Sequence, residues 1–201
     1  MHKIIRFFRR VFRGEDILLV PQTKKQWDSQ FAAGIWDRLL EGQPNTGEIA
    51  RRIGEYAERK GGTIRVLDVG CGNGGLARLI VGNPRIEYVG TDISSSAIAR
   101  AREAAPAGTF IEGSAAYPPE RAGTFDIIVF NEILYYLDPE TVLANYRSCA
   151  DPGTEVHISI VRSWRSRFLW RRIRHFVRIS RFTAIAGYDK NRWDIATGAF
   201  I

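Results

Sequence analysis

The sequence predicts an α/β protein built on a doubly wound, mostly parallel sheet that ends in an antiparallel hairpin. Three observations predict it. From Ile64 onward, short runs rich in branched apolar residues alternate with helical stretches. The first run breaks into a glycine-rich turn, Gly70-Cys71-Gly72-Asn73-Gly74-Gly75. The chain closes with two strand-like runs, Arg178–Gly187 and Arg192–Phe200, around Tyr188-Asp189-Lys190-Asn191.

Taken in order, residues 1–13 form a basic amphipathic helix. Ile4, Ile5, Phe7, Phe8, Val11 and Phe12 fall on one stripe, with arginines on the opposite face. Such a helix suits packing on its own domain, oligomerisation, or contact with an anionic membrane surface. Residues 14–62 read as a helical, aromatic cap region. Within it, Lys24–Leu40 carries Trp27, Phe31 and Trp36, which suit either a core or a lid over a pocket. A turn-rich loop at Gly42–Gly47 leads to a helix from about Glu48 to Arg59, with Ile49, Ile53, Tyr56 and Ala57 inward.

Residues 63–201 form the main domain. Strands are expected at Arg65–Val69, Glu87–Thr91, Thr109–Glu112, Phe125–Phe130 and Glu155–Val161. Helices are expected at Leu76–Val81, Ser95–Ala105, Pro139–Ala150 (capped by Asp138) and near Arg167–His175.

Composition narrows the function classes. A chain of 201 residues is one domain with a real core. Cys71 and Cys149 are the only cysteines and lack metal spacing, so neither a zinc site nor a disulfide scaffold is expected, and a reducing, cytoplasmic setting fits. The net charge of +7 is uneven. Five basic residues lie in 1–13 and eight arginines in 162–181, leaving 16 basic against 22 acidic residues elsewhere. A mildly acidic body thus carries two basic, aromatic segments, 1–13 and 164–182, suited to an anionic surface or partner. No stacking motif or RNA-binding module accompanies them, which disfavours nucleic acid.

The glycine turn cradles a nucleotide, because glycines let a ligand approach backbone N–H groups at a helix start. It fits two patterns. Gly70, Gly72 and Gly75 match G-x-G-x-x-G for a dinucleotide, and Asp68-x-Gly70-x-Gly72-x-Gly74 matches the form typical of S-adenosylmethionine. Asp92, at the end of the second strand, can accept both ribose hydroxyls of either ligand. Asp68 favours the second reading, since its carboxylate suits the ammonium of an amino-acid moiety.

With these motifs in hand, the chain resembles the class I S-adenosylmethionine-dependent methyltransferases from about Ile64 to Ile201. Asp68–Gly74 resembles the family's first motif, Gly90-Thr91-Asp92-Ile93-Ser94 its second, and Phe125–Ile128 with Asn131–Tyr136 its fourth-strand motif. Glu132–Leu137 is more narrowly similar to nodulation-type N-methyltransferases, and Trp27-Asp28, Gly34–Asp37 and Arg162–Ser166 to bacterial glycan and natural-product methyltransferases.

The resemblance implies a Rossmann-like sheet in the order 3-2-1-4-5-7-6. It implies that Asp68, Gly70, Cys71, Gly72, Asn73 and Gly74 hold the methionine end of the cofactor, Asp92 the ribose, and Ile93 the adenine. Ser114 and Ala115 fall where the family often has Gly-Asp-Ala, so Ser114 replaces the usual adenine-amino acceptor. Asn131 and Glu132 would line the pocket near the methyl group. An oxygen acceptor needs a base, and Glu132, His157 and Tyr135 are the candidates. Trp27, Trp36 and Tyr136 are expected at the acceptor entrance. The implied activity is methyl transfer to a hydroxyl or amine of a sugar-containing or lipid-linked small molecule. RNA methylation and non-catalytic cofactor binding are the alternatives.

Overall fold

The computed structural model describes residues 22–37, 41–120, 122–187 and 191–201; the expected basic helix at 1–13 lies outside them. Helix α1 (Lys24–Ala32) starts on a capping box, in which the Thr23 hydroxyl and the Gln26 side chain satisfy each other's backbone N–H groups. Helix α2 (Pro44–Lys60) follows, ending on Gly61 at φ 74°. The remaining elements are β1 (Ile64–Val69), α3 (Ala77–Ile80), β2 (Ile86–Asp92), α4 (Ser95–Ala104), β3 (Thr109–Glu112), β4 (Phe125–Asn131), α5 (Pro139–Tyr146), β5 (Ala150–Val161), α6 (Ser166–Ile173), β6 (Val177–Ala186) and β7 (Arg192–Phe200).

The seven strands form one sheet in the order β3-β2-β1-β4-β5-β7-β6. Strands β1 to β5 pair in parallel, and β7 runs antiparallel to both β5 and β6. Successive residues of the central strands serve opposite faces, as pleating requires. Val66, Ile127 and Val129 pack with Ile49, Ile53 and Ile98 on one face. Leu67, Ile128 and Phe130 pack with Leu143, Tyr146 and Ile173 on the other.

Three boundaries move from their expected places. Helix α2 begins at Pro44 rather than Glu48, because the fixed φ of proline suits a helix's first position and Gly47 N–H already bonds Gln43 C=O. Helix α5 stops at Tyr146 and tightens into a 3-10 turn, Arg147–Cys149, instead of reaching Ala150. Strand β5 therefore starts at Ala150, where Ala150 pairs with Phe125 ahead of a register shift.

Candidate active site

Parallel strands deliver their carboxyl ends to one edge of the sheet, and ligands of such folds bind in the crevice there. A cavity of about 340 Å³ opens at that edge, walled by the ends of β1, β2, β4 and β5 and roofed by residues 22–36.

The glycine turn forms its floor. Gly70 and Cys71 N–H both donate to Thr91 C=O at 2.8 Å, stitching the turn to β2. Gly70 has φ 74°, and a Cβ there would meet the Ile133 side chain at 2.9 Å, so only glycine fits. Asp92 accepts the Gly72 N–H at 3.0 Å and the Ser94 N–H at 2.9 Å. Burial raises its pKa to about 6 against those bonds. Asp68 is 2% exposed. Its Oδ2 accepts the Tyr88 hydroxyl at 2.7 Å, while its Oδ1 is buried without a partner among the described residues. Burial lifts this carboxyl to about 7, with the Tyr88 bond opposing and Asp92 adding.

The opposite wall is a polar chain crossing three segments. Asn131, the last residue of β4, donates to Thr46 Oγ1 at 3.1 Å and accepts from Asn45 Nδ2 at 2.9 Å. Asn45 Nδ2 also reaches Ser159 Oγ at 3.1 Å, and Ser159 Oγ donates to Glu132 Oε1 at 3.1 Å. Tyr135 donates its hydroxyl to Glu132 Oε2 at 2.9 Å, and the nearby Trp193 side chain and Val161 backbone also favour its charged form. Burial nevertheless raises Glu132 to about 7. Glu132 is the one non-glycine with positive φ, 58°, among the described residues. That left-handed backbone, seen often at functional sites, coincides with its place on the cavity wall.

The roof is aromatic. Trp27 lies 5.0 Å from Tyr136 and 5.9 Å from Trp36 between ring centroids, and Phe31 sits 6.1 Å from Trp36. Asp28 pins this roof to the start of α4, accepting from Ser94 Oγ at 2.8 Å and from Ser95 Oγ at 3.2 Å. Asn73 holds it from below, donating to Trp36 C=O at 2.9 Å.

The cavity wall thus brings together Asp68, Gly70, Cys71, Gly72, Asn73, Asp92, Ile93, Ser114, Ala115, Asn131, Glu132, Tyr135, Trp27, Trp36 and Tyr136. Two expected site residues are not on it. A Cβ on Gly74 would press on Ala101 Cα at 3.1 Å, so this glycine serves the packing of α4. His157 is fully buried in β5, paired through Nε2 with Glu155 at 3.0 Å, and its pKa is lowered by burial. It shares its face of β5 with Ser159 and Val161 but lies two and four residues further from the strand's carboxyl end, below the cavity. Burial also pushes the Cys71 thiol well above its ordinary range, so it stays a thiol.

Sequence reasoning missed Asn45, Thr46 and Trp193 on the cavity wall, and Ser159 behind it. One signal was present for the first: Asn45 continues the i, i+4 stripe of Ile49 and Ile53.

Residues 66–153 match a family model described as a methyltransferase domain. Among solved structures, the fold is similar to a TehB-like S-adenosylmethionine-dependent methyltransferase from Corynebacterium glutamicum, with 20% identity and a TM-score of 0.64 over 87% of this chain and 98% of that one. It is similar to the N-methyltransferase NodS of Bradyrhizobium japonicum, with 17% identity and a TM-score of 0.69 over 87% of this chain and 96% of that one. Magnesium protoporphyrin IX methyltransferase of Synechocystis is 15% identical, with a TM-score of 0.65 over 88% and 97% of the two chains. At such identities the likeness is one of fold.

Residues 66–153 thus match a methyltransferase domain, and the chain has the fold of these S-adenosylmethionine-dependent methyltransferases. Of these relatives, the NodS structure holds S-adenosylhomocysteine and the Synechocystis structure S-adenosylmethionine. Among the described residues, no group of His, Cys, Asp or Glu could hold a metal ion, and no helix is long and apolar enough to cross a membrane.

Proposed function

We propose that this chain methylates a hydroxyl or amine of a small, sugar-containing or lipid-linked acceptor, and that Glu132 faces the acceptor. The observation carrying this reading is the Glu132 carboxylate. It stands in a left-handed backbone on the cavity wall, held by surrounding donors, and ionises near neutrality.

The cavity fits S-adenosylmethionine through its own unmet chemistry. Asp68 Oδ1 is a buried acceptor without a donor, and an ammonium would supply one. The Asp92 carboxylate retains lone pairs for ribose hydroxyls beyond the backbone donors it already accepts. When bound, the cofactor supplies an electrophilic methyl group activated by a positive sulfur.

The chain's own residues do the rest. The roof of Trp27, Trp36 and Tyr136 excludes water and closes the acceptor's approach to one direction. Tyr135 and Ser159 fix the two oxygens of Glu132, so its lone pairs point at one place. There Glu132 orients an acceptor O–H or N–H and takes its proton as the new bond forms, the task for which a pKa near 7 is matched. The pocket's aromatic and apolar rim suits a sugar face or lipid portion.

The test is a panel of hydroxyl- and amine-bearing sugars, free and lipid-linked, incubated with labelled S-adenosylmethionine. Labelled product in the wild type that disappears in Glu132→Gln, with S-adenosylhomocysteine still bound, supports the reading. Labelling of RNA but of no small molecule would overturn the acceptor class.

A further inference from the structure

A second concavity, a groove of about 770 Å³, lies against α6 and β7. We propose that it is a phosphoryl-binding subsite and that it selects an acceptor carrying a phosphoryl group. This inference rests on the methyl-transfer reading above.

The groove is built by helix periodicity. Arg167, Trp170 and Arg171 stand at i, i+3 and i+4 along α6, and Arg174 caps it at i+7, so all four share one face. A helix packed on a sheet ordinarily gives those spacings to apolar residues; here three of them are guanidinium groups lining a concavity. Arg167, Arg171 and Arg174 have no ion-pair partner among the described residues. By contrast, Arg172 on the same helix is paired with Asp138 and with Glu140, the latter at 2.7 Å. The only carboxylate lining the groove, Asp194, is engaged by Arg162 at 2.9 Å. Four arginines against one aspartate leave the groove three positive charges in excess.

A second, independent feature points the same way. Trp170 is 6% exposed, it lines the groove, and its indole N–H is buried with no acceptor among the described residues. A buried donor left unmet is costly, and an anion seated in the groove would satisfy it. Unpaired guanidinium forks beside an unmet N–H match the several oxygens of a phosphoryl group, which accept two-pronged bonds.

Position ties the groove to the reaction. Consecutive residues line the two concavities: Val161 and Trp193 wall the cavity, and Arg162 and Asp194 wall the groove. Alternation along the strands puts the two on opposite faces of the sheet, so an acceptor that spans them passes round the carboxyl end of β5. A sugar phosphate or phospholipid-like acceptor could place its phosphoryl group in one and its nucleophile in the other.

The experiment uses the full chain with S-adenosylhomocysteine bound and titrates pyrophosphate. In parallel, the protein is pelleted with phosphatidylcholine vesicles with and without phosphatidic acid. Saturable pyrophosphate binding that weakens about tenfold or more in Arg167→Gln/Arg171→Gln is the expected result, as the loss of charge-assisted bonds requires. Arg172→Gln, which removes the same charge from a paired position, leaves that binding unchanged. Trp170→Phe keeps an aromatic ring, deletes the N–H and weakens binding less.

Pelleting with phosphatidate vesicles but no pyrophosphate binding, with the same dependence on Arg167 and Arg171, assigns the phosphoryl group to a lipid. The phosphorylated form of a methylated sugar acceptor should show a lower KM than the free sugar, and that advantage should vanish in the double variant. No binding of either probe, or equal loss on Arg172→Gln, overturns the subsite. Intact S-adenosylhomocysteine binding in that case leaves the methyl-transfer reading standing, and its absence in the wild type would sink that reading instead.

Discussion

The two ends of the cavity are built by opposite means. The end proposed for the cofactor is local: Asp68, the glycine turn and Asp92 lie within 25 residues, and backbone N–H groups of the turn tie it to β2. The end proposed for the acceptor is assembled from afar. Asn45 reaches Asn131 across 86 positions and Ser159 across 114, and Glu132 draws donors from the exit of β4 and from β5. A short loop serves a cofactor common to a whole class, whereas long-range side-chain contacts can change acceptor by acceptor without disturbing it.

That contrast can be broken at either end. The largest effect is expected from Glu132→Gln, which should lower kcat about 100- to 1000-fold while S-adenosylhomocysteine affinity stays near wild type, measured by single-turnover labelling and calorimetry. Equal losses in binding and turnover would place Glu132 in the cofactor end instead.

Asp92→Ala comes next. Removing a carboxylate that meets ribose hydroxyls should weaken S-adenosylhomocysteine by about 1.5–3 kcal/mol. Unchanged affinity in calorimetry would reduce Asp92 to a brace for Gly72 and Ser94.

The pH dependence separates the ends more finely. Asp68 and Asp92 have folded pKa values raised to about 7 and about 6 by burial. A carboxyl with a raised folded pKa stabilises the fold below its unfolded value and loses that contribution as pH rises through the folded one. The unliganded protein should therefore melt lower as pH rises from about 4 to about 7. A bound ammonium favours the ionised Asp68, so the thermal shift given by S-adenosylhomocysteine should be larger at pH 8 than at pH 5. A shift independent of pH would mean that Asp68 does not meet the ammonium.

The smallest effect falls on Asn45→Ala. Losing its bonds to Asn131 and Ser159 should raise the acceptor KM several-fold, about 1 kcal/mol, and leave cofactor affinity alone.

The same contrast explains what the sequence could be made to say. The sheet order came with the family resemblance, and the candidate cofactor residues came from motifs a few residues long, whose spacing reflects one strand and one turn. Asn45 and Thr46 hid in Gly42–Gly47, where proline, asparagine and glycine imitate a loop, although they form a helix's first turn. Only their contacts with Asn131 and Ser159 place them at the cavity. His157 went the other way. Its chemistry suggested a base, and it shares a face of β5 with Ser159 and Val161. It lies too far from the carboxyl end of the strand to reach the cavity and is buried in the core instead. The arginines of α6 were visible as charge; their gathering around Trp170 was not, because it depends on where β5 ends and β7 begins.

The central claim is that the glycine turn and its flanking carboxylates hold S-adenosylmethionine rather than a dinucleotide. Calorimetric titration of the full chain with S-adenosylhomocysteine and, separately, with NAD tests it most directly. Saturable one-to-one binding of S-adenosylhomocysteine with no response to NAD is the predicted result. Tight NAD binding without a response to S-adenosylhomocysteine would contradict it.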